Sequence, residues 1–128
     1  MAAKFLIIAL ICLSMMGISC KKATNSTTTY RAKVVYKDCG YFIFDVEGNN
    51  GIGTRWSANR QDNYYNNAVD IRDYCYLVDK NVKVGNTVEF TITQQQTAVS
   101  SNCPFPECFA YLGTGKSIYI NDVVIVNP

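Results

Sequence analysis

The sequence predicts an all-β domain, either a small antiparallel barrel or a sandwich, that disulfide bonds stabilise. From residue 30 onwards, short runs rich in β-branched and aromatic residues recur between turn-forming segments. Several of these runs alternate apolar and polar residues, as strands with one buried face do, and no long helical pattern interrupts them. Cysteines in the same region are typical of a small exported domain: Cys39, Cys75, Cys103 and Cys108.

The first half of this region predicts three strands. Residues 31–37 form the first strand and residues 41–47 form the second. The second strand places three apolar residues on one face: Phe42, Phe44 and Val46. Residues 48–51 contain an Asn-Gly step, which suits the positive φ angles of a tight hairpin. Residues 52–57 return as a third strand, and its Trp56 is expected in the core.

The middle of the chain is less regular. Residues 59–68 predict a polar loop that contains Tyr64 and Tyr65. Residues 69–78 fit two interpretations, a strand and a short helix. Alternation along the chain favours the strand, through Tyr74, Tyr76 and Val78. The helix is favoured by Asp70, which could cap its first turn.

The last third predicts strands again. A turn over residues 83–87 leads into a strand over residues 88–93. Three of its residues share an apolar face: Val88, Phe90 and Ile92. Two further β-rich segments, residues 109–112 and 117–126, flank a Gly-Thr-Gly turn.

The N-terminal segment predicts a lipoprotein signal peptide over residues 1–19. Lys4 precedes an apolar run, residues 5–16, that is shorter than the roughly 20 residues of a membrane-spanning helix. The run leads to Gly-Ile-Ser-Cys at residues 17–20, which resembles a relaxed bacterial lipobox with glycine in place of the usual leucine. In such a motif the cysteine thiol receives a lipid, so Cys20 is the predicted attachment site.

Residues 20–29 predict a flexible tether between this lipid and one folded domain, residues 30–128. After Cys20 the segment has no apolar side chain larger than alanine, so it cannot bury enough surface to fold. This layout predicts a protein of the bacterial cell envelope. Two alternatives stay open: Cys20 as a disulfide cysteine behind a conventional signal peptide, and an uncleaved leader that serves as a short anchor.

Charge and composition exclude several functional classes. The chain has 12 Lys+Arg and 10 Asp+Glu, but Lys4, Lys21 and Lys22 lie in the leader and tether. The remainder has a net charge of −1, so no basic patch predicts a nucleic-acid partner. Histidine is absent, which removes histidine-based catalytic triads and His-ligated zinc. The sequence predicts no cofactor, no metal and no catalytic residue.

Spacing alone does not decide how the domain cysteines pair. A zinc site with four thiolates needs two close pairs, and only Cys103 and Cys108 are neighbours in sequence. The residues between them include two prolines, which argues against a thiol–disulfide exchange motif at a helix start. A local Cys103–Cys108 bridge stays open, although bridges from each of them to distant strands are favoured.

Four features of the domain occur in a recognisable order. Cys39-Gly40-Tyr41 lies between two strands, and an Asn-Gly turn follows. Residues 84–90 have the sequence Val-Gly-Asn-Thr-Val-Glu-Phe, and a late cysteine precedes the last strand. This order resembles small lipoproteins of Bacteroidota with an OB-like barrel, over most of residues 30–128. The resemblance therefore implies an OB-like barrel for this domain, and it leaves the function open.

The resemblance also bears on disulfides and location. It implies that Cys39 pairs with Cys103 or Cys108, which leaves Cys75 for the other. Cys75 is itself a departure from that group, as is the Asn/Tyr-rich middle of the chain. In such bacteria acidic residues after the lipidated cysteine often accompany surface export. Lys21-Lys22 stand there instead and favour the outer membrane facing the periplasm, with surface exposure left open.

Three aromatic residues are the candidate partner-binding positions: Tyr64, Tyr65 and Phe105. The two tyrosines fall in a polar loop and Phe105 stands between prolines, so all three are expected at the surface. Tyrosine suits an interface because it combines a rigid ring with a polar tip. Folding back over a thin core is the alternative for the tyrosines. An oxygen-rich stretch including Asp62 and Asp70 leaves open a weak calcium site.

These features predict a noncatalytic binding or accessory module, tethered to a membrane near a protein or glycan partner. One alternative is an inhibitor or immunity-type protein in which residues 103–108 plug a hydrolase. Another is a hydrolase that uses two carboxylates about 5–9.5 Å apart. Nothing in the sequence marks one such pair, so the chain is not expected to be an enzyme.

Overall fold

The computed structural model describes residues 27–38, 40–58, 63–98, 102–104 and 113–127. Strands dominate this part of the chain, and all of them belong to one six-stranded sheet. The elements are β1 (Thr29–Asp38), β2 (Tyr41–Val46), β3 (Thr54–Trp56), β4 (Tyr65–Ile71), α1 (Tyr74–Asp79), β5 (Thr87–Thr93) and β6 (Ser117–Asn127). Helix is limited to the six residues of α1 within the described ranges. The prediction of an all-β domain is confirmed.

The strand pairings form a ring. β1 pairs with β2 on one side and with β5 on the other, both antiparallel. β2 also pairs with β4, β5 also pairs with β6, and β4 and β6 pair with each other. The pairings from β1 through β2, β4, β6 and β5 therefore lead back to β1. The short strand β3 joins this ring by pairing with β4.

One pairing differs from the antiparallel prediction. β4 and β6 run parallel, with Asp70 opposite Ser117 and Ile71 opposite Ile118. Parallel neighbours need a long crossover connection, which residues 72–116 supply with α1 and β5. The sheet is therefore mixed. Alternation of residues predicts which face of a strand is buried, but it carries no information on strand direction.

The main hydrophobic core lies on one face of the sheet. Residues predicted from alternation are buried there: Phe42, Phe44, Val46, Val88 and Phe90. The rings of Phe44 and Phe90 meet edge to face, with centroids 5.7 Å apart. Ile92, the third residue of the apolar face predicted for β5, is exposed, because it lies next to the last residue of that strand.

The loop prediction for residues 59–68 is wrong from Tyr65 onwards, where β4 begins. The polar composition of this segment favours a loop. However, β4 lies between β2 and β3 and pairs with both, and this tertiary context overrides local preference. Ala68 is fully buried, as a residue within such a strand can be.

Both interpretations of residues 69–78 apply in turn. β4 continues to Ile71, and α1 begins at Tyr74. Asp73, and not Asp70, is the residue before the helix, and its side chain makes no capping hydrogen bond. The alternation of tyrosines that suggested a strand belongs instead to a helix whose Tyr76 and Leu77 are buried.

A disulfide bond joins Cys75 of α1 to Cys103, across a sequence separation of 28 residues. The local Cys103–Cys108 bridge is thereby excluded, as is a Cys39–Cys103 bridge, because the sulfur of Cys103 is already bonded. The favoured expectation that Cys103 bonds a distant part of the chain is confirmed, but its partner lies in a helix and not in a strand. Cys39 and Cys108 lie outside the described residues, and their pairing stays a prediction.

Other predicted features also lie outside the described residues. These are the leader and most of the tether, with Cys20, the β-rich segment predicted over residues 109–112, and the residues Asp62 and Phe105. Within the described ranges, no helix is both long enough and apolar enough to cross a bilayer.

Candidate functional site

A second cluster of side chains lies on the face of the sheet opposite the main core. In β2, Tyr41 and Ile43 alternate with the core phenylalanines and so project to this second face. Both are buried, as is Trp56 of β3, and the prediction that Trp56 belongs to a core is confirmed. The four rings of this second face are called the outer aromatic cluster: Tyr36, Tyr41, Trp56 and Tyr65.

The rings of the outer aromatic cluster contact one another. Trp56 stands edge-on to Tyr36, with centroids 5.5 Å apart, and stacks on Tyr65 at 6.2 Å. Tyr36 also lies 6.4 Å from Tyr41. Well-oriented aromatic pairs contribute about 0.5–1.5 kcal/mol each beyond the burial of their surface. These contacts therefore hold β3, a strand of only three residues, firmly against β4.

The two tyrosines predicted to bind a partner have different surroundings. Tyr65 is half-buried within the outer aromatic cluster, so its ring supports the fold. Tyr64, one residue before β4, keeps 43% of its surface exposed. The structure therefore offers Tyr64, more than Tyr65, as a surface on which a partner can stack.

Arg55 of β3 accompanies Tyr64. The central carbon of its guanidinium, Cζ, lies 4.0 Å from the centroid of the Tyr64 ring. A cation over an aromatic face at an exposed site contributes about 0.5–1 kcal/mol, enough to bias the positions of both side chains. The two residues together are called the Tyr64–Arg55 pair.

Sequence reasoning missed Arg55 as a site residue. Its contact with Tyr64 depends on the pairing of β3 with β4, in which Trp56 faces Tyr65 and the register shifts between Thr54 and Trp56. Pairing Trp56 with Tyr65 as cross-strand neighbours would have placed Arg55 beside Tyr64. The prediction of a loop at Tyr65 ruled out that pairing.

Asn67 anchors the connection between β2 and β3 to the neighbouring strand β4. Its Nδ2 group donates to the carbonyl oxygen of Val46 at 3.0 Å and to Oδ1 of Asn50 at 2.7 Å. Its own Oδ1 accepts from the backbone N–H of Gly53 at 2.7 Å. Gly53 approaches so closely that a Cβ atom there would lie 2.3 Å from the carbonyl carbon of Asn67. The base of the β3–β4 hairpin is thus closely fitted.

Two buried carboxylates serve the fold. Asp70 accepts a hydrogen bond from the backbone N–H of Thr114 at 2.8 Å, and Asp73 accepts one from that of Ile120 at the same distance. Asp73 also accepts from the backbone N–H of Thr97 at 3.0 Å. Both side chains are inaccessible to solvent, so this pair cannot reach a glycosidic substrate.

The same hydrogen bonds bear on the calcium site left open near Asp62 and Asp70. The side-chain oxygens of Asp70 face the 113–117 segment, with Ser117 Oγ as a second donor at 3.5 Å. Across the described ranges, no group of three or more His, Cys, Asp or Glu residues is placed to hold a metal ion.

Known proteins give no further guide to this site. Comparison with protein families, with curated proteins and with solved structures finds no match to this chain. Its function must therefore be inferred from its own residues.

The Tyr64–Arg55 pair combines two modes of binding. The tyrosine supplies a rigid apolar surface with a hydroxyl group at its tip. The guanidinium supplies donors in a planar fork that matches a carboxylate. Phe105, the third predicted position, lies outside the described residues, so its contribution stays a prediction. The same holds for the plug hypothesis, since only Cys103 and Pro104 of that loop are described.

Proposed function

We propose that this chain is a lipid-anchored protein of the bacterial cell envelope, and that its folded domain is a noncatalytic module that binds a protein partner. The anchor is the lipid expected on Cys20, and residues 20–29 link it to β1. The observation that carries the binding role is the exposed Tyr64–Arg55 pair on the β3–β4 hairpin.

The fold proposed for the domain is a small OB-like barrel. Three observations support it: the ring of five pairings, the parallel contact between β4 and β6, and a helix between β4 and β5. An OB-fold is a five-stranded Greek-key barrel whose loops and one face bind ligands in many proteins. The same fold has many functions, so the fold alone does not define the ligand, and the site must.

Two properties make the Tyr64–Arg55 pair suited to binding. Tyrosine and arginine are among the residues that carry most of the energy in protein interfaces. The pair also lies on strands that the outer aromatic cluster and Asn67 hold in position, so little conformational freedom is lost when a partner docks.

A protein partner is favoured over a glycan. A sugar ring binds an aromatic side chain by lying on an open ring face, and Arg55 already covers one face of Tyr64 at 4.0 Å. A protein can instead use the ring edge, the hydroxyl group and the guanidinium together, with a carboxylate as the natural counterpart of Arg55. Binding of a glycan is therefore an outcome that the test must distinguish.

The location proposed is the outer membrane, with the domain in the periplasm. Lys21 and Lys22 directly follow the predicted lipidation site, where acidic residues often accompany surface export in bacteria of the resembling group. Intact-mass measurement of the native protein tests the anchor. We expect a lipid mass on a chain that begins at Cys20, and loss of both lipid and membrane association in Cys20→Ala. A chain that retains Met1 would contradict the proposal.

A photo-crosslinking phenylalanine derivative at position 64, which keeps an aromatic ring beside Arg55, tests the binding role in cells. We expect a covalent adduct with a protein, and we expect Arg55→Ala to reduce its yield at least tenfold. Lys80→Ala is the matched control, because Lys80 also lies over an aromatic ring, that of Tyr76, but elsewhere in the fold. An adduct unaffected by Arg55→Ala, or an adduct with glycan alone, would contradict the protein-binding proposal.

A further inference from the structure

β6 exposes apolar side chains along one face. Tyr119, Val124 and Val126 have 36%, 59% and 41% of their surfaces exposed. Between them the chain contains an irregularity at Asp122, which has a φ angle of 53° and shifts the register against β5. The shift keeps Val123 in the core while the flanking residues project outwards. Tyr119, Val124 and Val126 are called the β6 stripe, about 20 Å long.

The predicted tether joins the folded domain at Thr29, close to this stripe. Thr29, the first residue of β1, lies opposite Thr91 of β5, which in turn lies opposite Asn121 of β6. Adjacent strands are about 4.8 Å apart, so the start of β1 is about 10 Å from β6 at this level. Tyr119 lies opposite Thr93, one step further along the same face.

The length of the tether limits how far the domain can move from its lipid. Nine residues span about 30 Å at full extension. A membrane surface is therefore always within reach of the β6 stripe, which gives even a weak contact a high effective concentration. No other partner is guaranteed such proximity by the covalent structure of the chain.

Charged side chains near the Tyr119 end of the stripe are few. Residues 90–98 contain no charged side chain, and Tyr119 lies opposite Thr93 on β5. At the other end Glu89 lies opposite Val124 and, on its other side, opposite Arg31, which also forms an ion pair with Glu47 at 3.5 Å. Asp122 is the one acid within the stripe's span, and its carboxylate accepts a hydrogen bond from the Thr91 hydroxyl at 3.0 Å.

We infer that the domain lies on the membrane through the β6 stripe, with Tyr119 and the two valines at the level of the lipid headgroups. Tyrosine is favoured at that level because its ring is apolar and its hydroxyl stays hydrated. The inference rests on the lipid anchor proposed above. β4 contacts β6 through Asp70 and Ile71, whereas Tyr64 precedes the opposite end of β4, about 20 Å away, so this orientation leaves the Tyr64–Arg55 pair free for a partner.

Tryptophan fluorescence in vesicles tests this orientation. Full-length protein with a verified lipid mass is placed in vesicles of phosphatidylethanolamine and phosphatidylglycerol whose acyl chains carry bromine, a quencher of tryptophan. Tyr119→Trp and Tyr64→Trp are matched reporters, since both replace exposed tyrosines, and the wild-type protein gives the background from Trp56. We expect at least threefold stronger quenching at position 119 than at position 64. Equal quenching, stronger quenching at position 64, or none at either would overturn the inference.

A second pair of variants guards against a reporter that fails to fold. Val126→Trp reports from the other end of the stripe and should be quenched like position 119. Val124→Asp should reduce the quenching of either reporter at least twofold, whereas Val84→Asp, at a similarly exposed valine outside the stripe, should not. Equal effects of the two aspartates would overturn the inference. Failure of the proposed function can be distinguished from failure of this inference. Lack of lipid on Cys20 is detected by mass before the quenching experiment. The crosslink at position 64 is a separate measurement.

Discussion

Asn67 determines the conformation of the connection between β2 and β3 more than any other single residue there. Asparagine is uncommon within strands, and this one occupies the middle of β4. The hydrogen bonds of its side-chain amide explain why an asparagine occurs at this position. The amide donates to Val46 and Asn50 and accepts from Gly53. The polar residue that made the segment resemble a loop is thus a structural part of the strand.

Replacing Asn67 with alanine is expected to lower the free energy of unfolding by about 1–3 kcal/mol, because the Gly53 N–H and the Val46 carbonyl lose their partner. Urea denaturation measures the change. Asn66→Ala is the matched control, since the neighbouring Asn66 is exposed, and surface changes of this kind stay within about 0.5 kcal/mol. Equal destabilisation by the two variants would refute this role for Asn67.

At the scale of elements, α1 covers an edge of β6. β6 pairs with β4 only through Ser117 and Ile118, and beyond them its backbone needs other partners. Asp73 accepts from the N–H of Ile120, and the hydroxyl of Tyr76 accepts from the N–H of Val123 at 3.2 Å. A helix of six residues is unstable alone, so α1 and the edge of β6 stabilise each other.

Tyr76→Phe is expected to lower the free energy of unfolding by about 1–2 kcal/mol, since it removes only the acceptor and leaves the Val123 amide buried and unsatisfied. Amide hydrogen exchange gives a local measurement, in which Val123 should exchange faster than in the wild type. Tyr119→Phe removes a hydroxyl from an exposed ring and should change neither quantity. Unchanged exchange at Val123 in Tyr76→Phe would show that its hydrogen bond is dispensable.

At the scale of the whole molecule, the Cys75–Cys103 bond joins α1 to the segment that precedes β6. Closing a loop of 28 residues restricts the unfolded chain and should stabilise the fold by about 3–4 kcal/mol. The double variant Cys75→Ala/Cys103→Ala is therefore expected to have a free energy of unfolding that is lower by this amount. Urea denaturation measures the difference. Wild-type protein treated with reductant should lose at least as much stability as the variant, because reductant also breaks the predicted Cys39–Cys108 bridge. A reduced protein of unchanged stability would contradict the prediction.

The sequence predicted the all-β class, the buried face of β2 and, apart from the exposed Ile92, that of β5, because strand alternation depends on residues close together in the chain. It did not predict the start of β4, the parallel contact between β4 and β6 or the position of α1. Each of these depends on partners distant in sequence. For the site, exposure of Tyr64 was predicted from its polar surroundings, but Arg55 and the supporting role of Tyr65 emerge only from the β3–β4 register.

β1 is held on both sides, by β5 along its first half and by β2 along its second. The predicted lipid anchor is connected, through the tether, to the first residue of this strand. A pull on the lipid would therefore load two ladders of hydrogen bonds along their length, so that many bonds must break together. Mechanical release is governed by the rate of unfolding. The strand that receives the load is thus the one whose extraction would require the ring of pairings to open on both sides at once.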